Sequence, residues 1–153
     1  MHVPDSRVFS WPLLIWALLA GVAGVLSFVL PSYLIKADVP QPPYGHPLIA
    51  WFAFAMANLR VVPSMVCFFA AGFVLGLAQP RFWLLLACIA MAMLAVLNGA
   101  NILHDWMHDP TSHNLFPFEF AILGFVCWPA VLGAFLGCLC RRLFRKTDVT
   151  APA

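Results

Sequence analysis

The feature that most constrains this chain is a series of four long apolar stretches with almost no charge inside them. They cover residues about 9–33, 61–78, 82–102 and 118–140. About 20 apolar residues in an α-helix span the hydrocarbon core of a bilayer, and a helix satisfies its own backbone hydrogen bonds there. The sequence therefore predicts an all-α integral membrane protein, a four-helix transmembrane bundle that forms one domain over residues 1–153.

The composition excludes several other classes of protein. Charged residues make up 9% of the chain and hydrophobic residues 63%, whereas a soluble domain has about 25% charged residues. Eight basic and six acidic residues cannot cover a soluble surface. This excludes a water-soluble globular fold, a disordered chain and a nucleic-acid-binding protein, so the expected partner is the lipid bilayer.

The apolar stretch over residues 48–78 is too long for one simple span. As one helix its 31 residues would reach about 46 Å, against a hydrocarbon core of about 30 Å. Arg60 divides the stretch, and its charge is cheapest at the membrane boundary. We therefore expect a short additional helix at about 48–59 before span two. It lies at the membrane surface or leans out as an extension of that span.

The basic residues predict the orientation. With four spans, both termini lie on one side, and basic residues concentrate on the cytoplasmic side of a membrane. The side with the termini carries six basic and two acidic residues: Arg7, Arg81, Arg141, Arg142, Arg145 and Lys146 against Asp5 and Asp148. The opposite side carries two basic and four acidic residues: Lys36 and Arg60 against Asp38, Asp105, Asp109 and Glu119. Both termini are thus expected in the cytoplasm, with a basic tail over 141–153. The small size and short loops favour a bacterial inner membrane.

Two spans carry a pair of glycines four residues apart. Gly72 and Gly76 lie in span two, and Gly133 and Gly137 lie in span four. Small residues at this spacing let helix backbones approach closely. Spans two and four run parallel in the expected topology, with both motifs near the cytoplasmic end. We therefore predict direct packing between them, within one chain or between chains.

Span three carries a polar stripe that leads into the following loop. Asn98, Asn101 and Asp105 fall on one helical face. Asparagine in hydrocarbon avoids lipid, so this face is expected to point into the bundle. The favoured interpretation is hydrogen bonding between helices, and the alternative is one wall of an outward-facing polar cavity.

The loop after span three contains a candidate metal site. Its ligands would be His104, Asp105, His108, Asp109 and His113. His104 and His108 are four residues apart, so a helix would place both on one face. Imidazole and carboxylate ligands suit zinc. The alternative is a solvated loop, and Asp109 to Ser112 resembles a turn.

Two charged residues near the outer boundary form a candidate ion pair. Arg60 begins span two and Glu119 begins span four. A pair would compensate both charges in a partly dehydrated zone. Independent charges that reach the water are the alternative.

Known functional motifs do not indicate an activity for this chain. The chain has no nucleotide-binding loop and no hydrolase or metalloprotease motif, so we expect no catalysis and no cofactor. The first hypothesis is a small non-catalytic membrane protein, an accessory subunit of another membrane protein or a self-associating bundle. The alternative is a transporter or metal-handling protein that uses the outward His/Asp/Asn surface. A metal-dependent enzyme at the same residues is a third hypothesis.

Overall fold

The computed structural model describes residues 11–34, 47–108 and 117–149, with side chains at 12–34, 51–107 and 117–145. Its described residues form six helices: α1 (Trp11–Leu34), α2 (Pro47–Ala57), α3 (Val61–Ala78), α4 (Trp83–His108), α5 (Phe118–Cys127) and α6 (Pro129–Val149). Four helical segments are long and apolar enough to cross a membrane: Pro12–Leu34, Val61–Ala78, Trp83–Met107 and Phe118–Arg145. This confirms the prediction of an all-helical chain with four candidate spans.

Helices α3 and α6 lie at backbone distance from each other. A Cβ added to Gly72 would lie 2.8 Å from the carbonyl carbon of Ala130, and one added to Gly76 would lie 2.7 Å from that of Ala134. Both distances are shorter than real side chains tolerate. Only glycine fits at these two positions, because the backbone of α6 occupies the space of a side chain.

The glycines of α6 meet α3 in the same way. A Cβ on Gly133 would lie 2.9 Å from the backbone nitrogen of Phe73, and one on Gly137 would lie 2.9 Å from that of Leu77. Contacts advance in the same direction along both helices, so α3 and α6 run parallel. All four glycines of the two motifs thus face the partner helix within one chain.

Helices α1 and α4 also run parallel, and their contacts repeat at each helical turn. Phe28 and Leu94 belong to one hydrophobic cluster, Ala20 and Leu86 belong to another, and Gly24 faces the backbone of Ala90. The register between the two helices is therefore constant over three turns. One further turn along each helix leads to Ser32 on α1 and Asn98 on α4.

Helix α2 packs against the bundle, and its expected place at the membrane surface or as an extension of span two stays a prediction. Phe52 and Ala55 are 1% and 0% exposed and belong to the central hydrophobic cluster. The ring of Phe52 stacks on that of Phe28 with centroids 5.2 Å apart. The segment is apolar nearly all round, so it gains more by packing among the spans than along a polar surface.

Two helices extend beyond their expected ends. Helix α4 reaches His108 instead of ending at about residue 102, and α6 reaches Val149 instead of ending at about 140. Polar residues begin earlier in both segments, but polarity alone does not end a helix. In α4 the first residue that disfavours continuation is Pro110.

Candidate functional site

The polar face of α4 begins with a fully buried asparagine. Asn98 is 0% exposed. Neither the amide nitrogen nor the amide oxygen of its side chain has a hydrogen-bond partner among the described residues. The favoured sequence interpretation, hydrogen bonding between helices, is therefore not realised at Asn98.

Asn98 belongs to a layer that covers the hydrophobic core at one end. Ser32, Ser64 and Asn98 are 1%, 0% and 0% exposed. They lie on α1, α3 and α4, each one helical turn from a core residue: Phe28, Phe68 and Leu94, respectively. We call these three residues the polar layer. Each is displaced from the core toward the end of the bundle where α1 ends and α3 begins.

The hydrogen-bonding groups of the polar layer are unevenly satisfied. The hydroxyl of Ser32 donates to the carbonyl oxygen of Ala55 on α2, at 3.5 Å. The hydroxyl of Ser64 has no partner within the described part of the chain. An unsatisfied buried polar group costs about 1–3 kcal/mol. Ser64 and Asn98 therefore carry a cost that apolar side chains of similar size would avoid.

Polar groups continue from this layer toward the end of α4. The side-chain oxygen of Asn101 is buried and lacks a partner among the described residues. One turn further, Nδ1 of His104 lies 3.7 Å from a carboxylate oxygen of Asp105, and both side chains are about one-fifth exposed. The face therefore changes from buried amide to partly exposed imidazole and carboxylate.

A tyrosine at the end of α1 lies at the same end of the bundle. The ring of Tyr33 packs against Phe54 on α2, with centroids 4.7 Å apart. Its hydroxyl is buried and has no hydrogen-bond partner in the described ranges. This is a further unsatisfied polar group near the polar layer.

The candidate metal ligands are described only in part. His104 and Asp105 have described side chains, whereas Asp109, His113 and the side chain of His108 lie outside the described residues. Within the described part of the chain, no three His, Cys, Asp or Glu side chains are grouped to hold a metal ion. Zinc binding at this loop therefore stays the alternative to a solvated loop.

The candidate ion pair is not formed. Arg60 precedes α3 and is exposed, and Glu119 lies in the first turn of α5. Both residues are described, and no contact within 4.0 Å joins their charged groups. Helices α3 and α5 pack against each other, but contact between two helices does not by itself bring two particular side chains together.

Sequence reasoning overlooked two of the three residues in the polar layer. Ser32 and Ser64 stand in apolar helical segments, where a small hydroxyl is easily accommodated. The sequence does show that both serines lie near the same end of their spans. Depth alone does not identify a shared layer, since the register between the helices must also be known.

Comparison with known proteins gives no relative from which a function could be carried over. No family model, no curated protein and no solved structure matches this chain.

Proposed function

We propose that this chain is a non-catalytic membrane protein that receives a small hydrogen-bonding solute at its polar layer, as a transporter or a solute-binding subunit does. The observation that carries the proposal is the pair of fully buried side chains Ser64 and Asn98, which have no hydrogen-bond partner among the described residues. Hydrogen bonding between helices would have explained Asn98 without a ligand. Because no described residue supplies that bond, a solute that provides the missing partners becomes the better explanation.

The side chains define the class of solute. The amide of Asn98 can both donate and accept hydrogen bonds, and the hydroxyl of Ser64 can do the same. Neither group is charged. A small neutral group with donors and acceptors, such as a hydroxyl or an amide, matches them. Asn101 and Asp105 continue the polar face outward.

The proposal also includes the orientation of the protein in the membrane. The basic residues favour a bacterial inner membrane with both termini in the cytoplasm. In that arrangement the polar layer lies in the outer half of the membrane. The solute would then enter from outside the cell.

Thermal unfolding in a panel of solutes tests the proposal. The detergent-purified chain is heated with polyols, neutral amino acids, amides and organic acids, one at a time. A ligand at 100 times its dissociation constant stabilises the folded state by about 2.7 kcal/mol. We expect at least one class to raise the melting temperature of the wild-type protein, and the shift to disappear in Asn98→Leu and Ser64→Ala.

Ser27→Ala is the matched control. Ser27 is a buried serine of α1, 6% exposed, and lies outside the polar layer. The control should keep the solute-dependent shift. If no class of solute stabilises the wild-type protein, while Asn98→Leu raises its stability without solute, the asparagine is only a costly core residue and the proposal is wrong.

An accessory subunit or a self-associating bundle is the second candidate. It is favoured by a continuous apolar stripe on α1, where Leu18, Val22, Leu26 and Leu30 are 70%, 56%, 52% and 45% exposed. Lipid or a neighbouring helix can cover such a stripe. A cysteine at Val22, in a background without native cysteines, would form a disulfide between two copies if the stripe joins them. Failure to crosslink in membranes would exclude self-association through α1.

A further inference from the structure

Arginines gather around one cavity at the other end of the bundle. The cavity has a volume of about 280 Å³ and is lined by Pro80, Arg81, Arg141, Arg142 and Arg145. Pro80 and Arg81 lie in the turn between α3 and α4, and the other three arginines lie on α6. Its volume is close to the lower end of the range for small-ligand sites, roughly 300 Å³.

Local hydrogen bonds hold the walls of this cavity together. The guanidinium of Arg141 donates to the carbonyl oxygens of Leu77 and Ala78 at the end of α3, at 2.6 and 2.5 Å. The thiol of Cys138 donates to the carbonyl oxygen of Pro80 at 3.4 Å. The turn and α6 are therefore fixed to each other beside the cavity.

The cavity is strongly electropositive. Among the side chains that the structure describes, its lining contains four guanidinium groups and no carboxylate. Arg141 is partly neutralised by the helix-terminal carbonyls, whereas Arg81, Arg142 and Arg145 bring like charges together at a cost. Guanidinium groups bind phosphate with paired, charge-assisted hydrogen bonds. A phosphate group in the cavity would offset this repulsion, because its negative charge attracts each guanidinium group.

The surroundings indicate that the phosphate belongs to a lipid. The cavity lies where the candidate spans Val61–Ala78 and Phe118–Arg145 end and Trp83–Met107 begins. Leu143 and Phe144, which adjoin Arg142 on α6, are 64% and 70% exposed. Apolar side chains next to the arginines suit acyl chains that continue from a headgroup. Basic pockets between spans are known sites for anionic lipid headgroups.

We propose that this cavity binds the phosphate group of an anionic phospholipid. The inference is independent of the solute site, since it concerns the opposite end of the bundle. The purified chain is reconstituted in nanodiscs of phosphatidylcholine with increasing phosphatidylglycerol, and its melting temperature is recorded. We expect phosphatidylglycerol to raise the melting temperature, and added salt to reduce the effect because screening weakens exposed charge interactions.

The double variant Arg142→Gln/Arg145→Gln should need at least about tenfold more phosphatidylglycerol for the same shift, because it loses two charged groups that can form paired hydrogen bonds with phosphate. The double variant Lys36→Gln/Arg60→Gln removes the same charge elsewhere and should behave as wild type. Arg142→Lys/Arg145→Lys keeps the charge but loses the paired hydrogen bonds, so it should also bind more weakly than wild type.

The source of the phosphate is tested separately. Inorganic phosphate and glycerol phosphate are added to the chain in an uncharged detergent. If either reproduces the full shift at the same molar concentration as the lipid, the ligand is a soluble phosphate and the lipid assignment is wrong. Equal responses to phosphatidylglycerol in the wild type and in Arg142→Gln/Arg145→Gln would overturn the site itself.

Discussion

The guanidinium of Arg141 on α6 donates a hydrogen bond of 2.6 Å to the carbonyl oxygen of Leu77, in the last turn of α3. The last carbonyls of a helix have no partner within the helix. A positive charge at this position also interacts favourably with the helix dipole. Arg141 therefore completes the end of α3 and joins it to α6, next to the glycine contacts that bring the two helices together.

Loss of this arginine should loosen the junction. We expect Arg141→Met to lower the free energy of unfolding by about 0.5–1 kcal/mol, the usual contribution of an exposed cation at a helix end. Unfolding in an uncharged detergent without anionic lipid measures the change. Arg142→Met is the control, and it should have little effect under these conditions. Equal losses in the two variants would mean that general charge, and not the hydrogen bonds to α3, stabilises this end.

The glycines differ sharply in the space around them. A Cβ on Gly76 would collide with the backbone of Ala134, whereas one on Gly99 would meet no described residue within 4 Å. We expect Gly76→Ala to destabilise the protein by about 1–3 kcal/mol through overpacking. Gly99→Ala should instead stabilise it by up to about 1 kcal/mol, because alanine favours helix. Thermal unfolding of both variants is the measurement, and destabilisation of similar size in both would contradict the packing of α3 against α6.

Arg60 and Glu119 should act independently, since the structure does not bring their charged groups within 4.0 Å. A double-mutant cycle with Arg60→Met and Glu119→Gln measures this. The two effects on stability should add within about 0.5 kcal/mol, as distant sites do. A larger coupling energy would show that the two residues do form a pair in the membrane.

The orientation is testable by labelling in intact cells. In a background without native cysteines, Ser112→Cys should react with a membrane-impermeant thiol reagent, and Thr147→Cys should not. The reason is the excess of basic residues on the side of the termini. The reverse pattern of labelling would place the termini outside.

Zinc is expected to leave the protein unchanged. The described part of the candidate site contains His104 beside Asp105, and exposure to water explains a polar loop without a metal. Metal content of the purified protein and its melting temperature with zinc, at a pH about one unit above the histidine pKa of about 6.5, are the measurements. Stoichiometric zinc that is lost in His104→Ala and in His108→Ala, and that dissociates below about pH 6.5, would instead show a histidine site.

Several properties of this protein could be derived from its sequence because each depends on local composition. The helical class and the number of candidate spans follow from apolar length, and α3 begins and ends where the sequence predicts, at Val61 and Ala78. The four glycines could be identified as close-packing residues from their spacing. Their partners could not, since spacing does not distinguish packing within a chain from packing between chains.

Tertiary structure alone decided the position of α2, the failure of Arg60 to meet Glu119 and the composition of the polar layer. Each depends on the register between helices and on the faces through which they contact each other. The sequence of an apolar helix determines neither, because nearly every face of such a helix can pack against a neighbour. Asn98 shows the difference most directly. The sequence predicts that the side chain of Asn98 points into the bundle. Only the packed helices show that no neighbouring group in the described chain completes its hydrogen bonds.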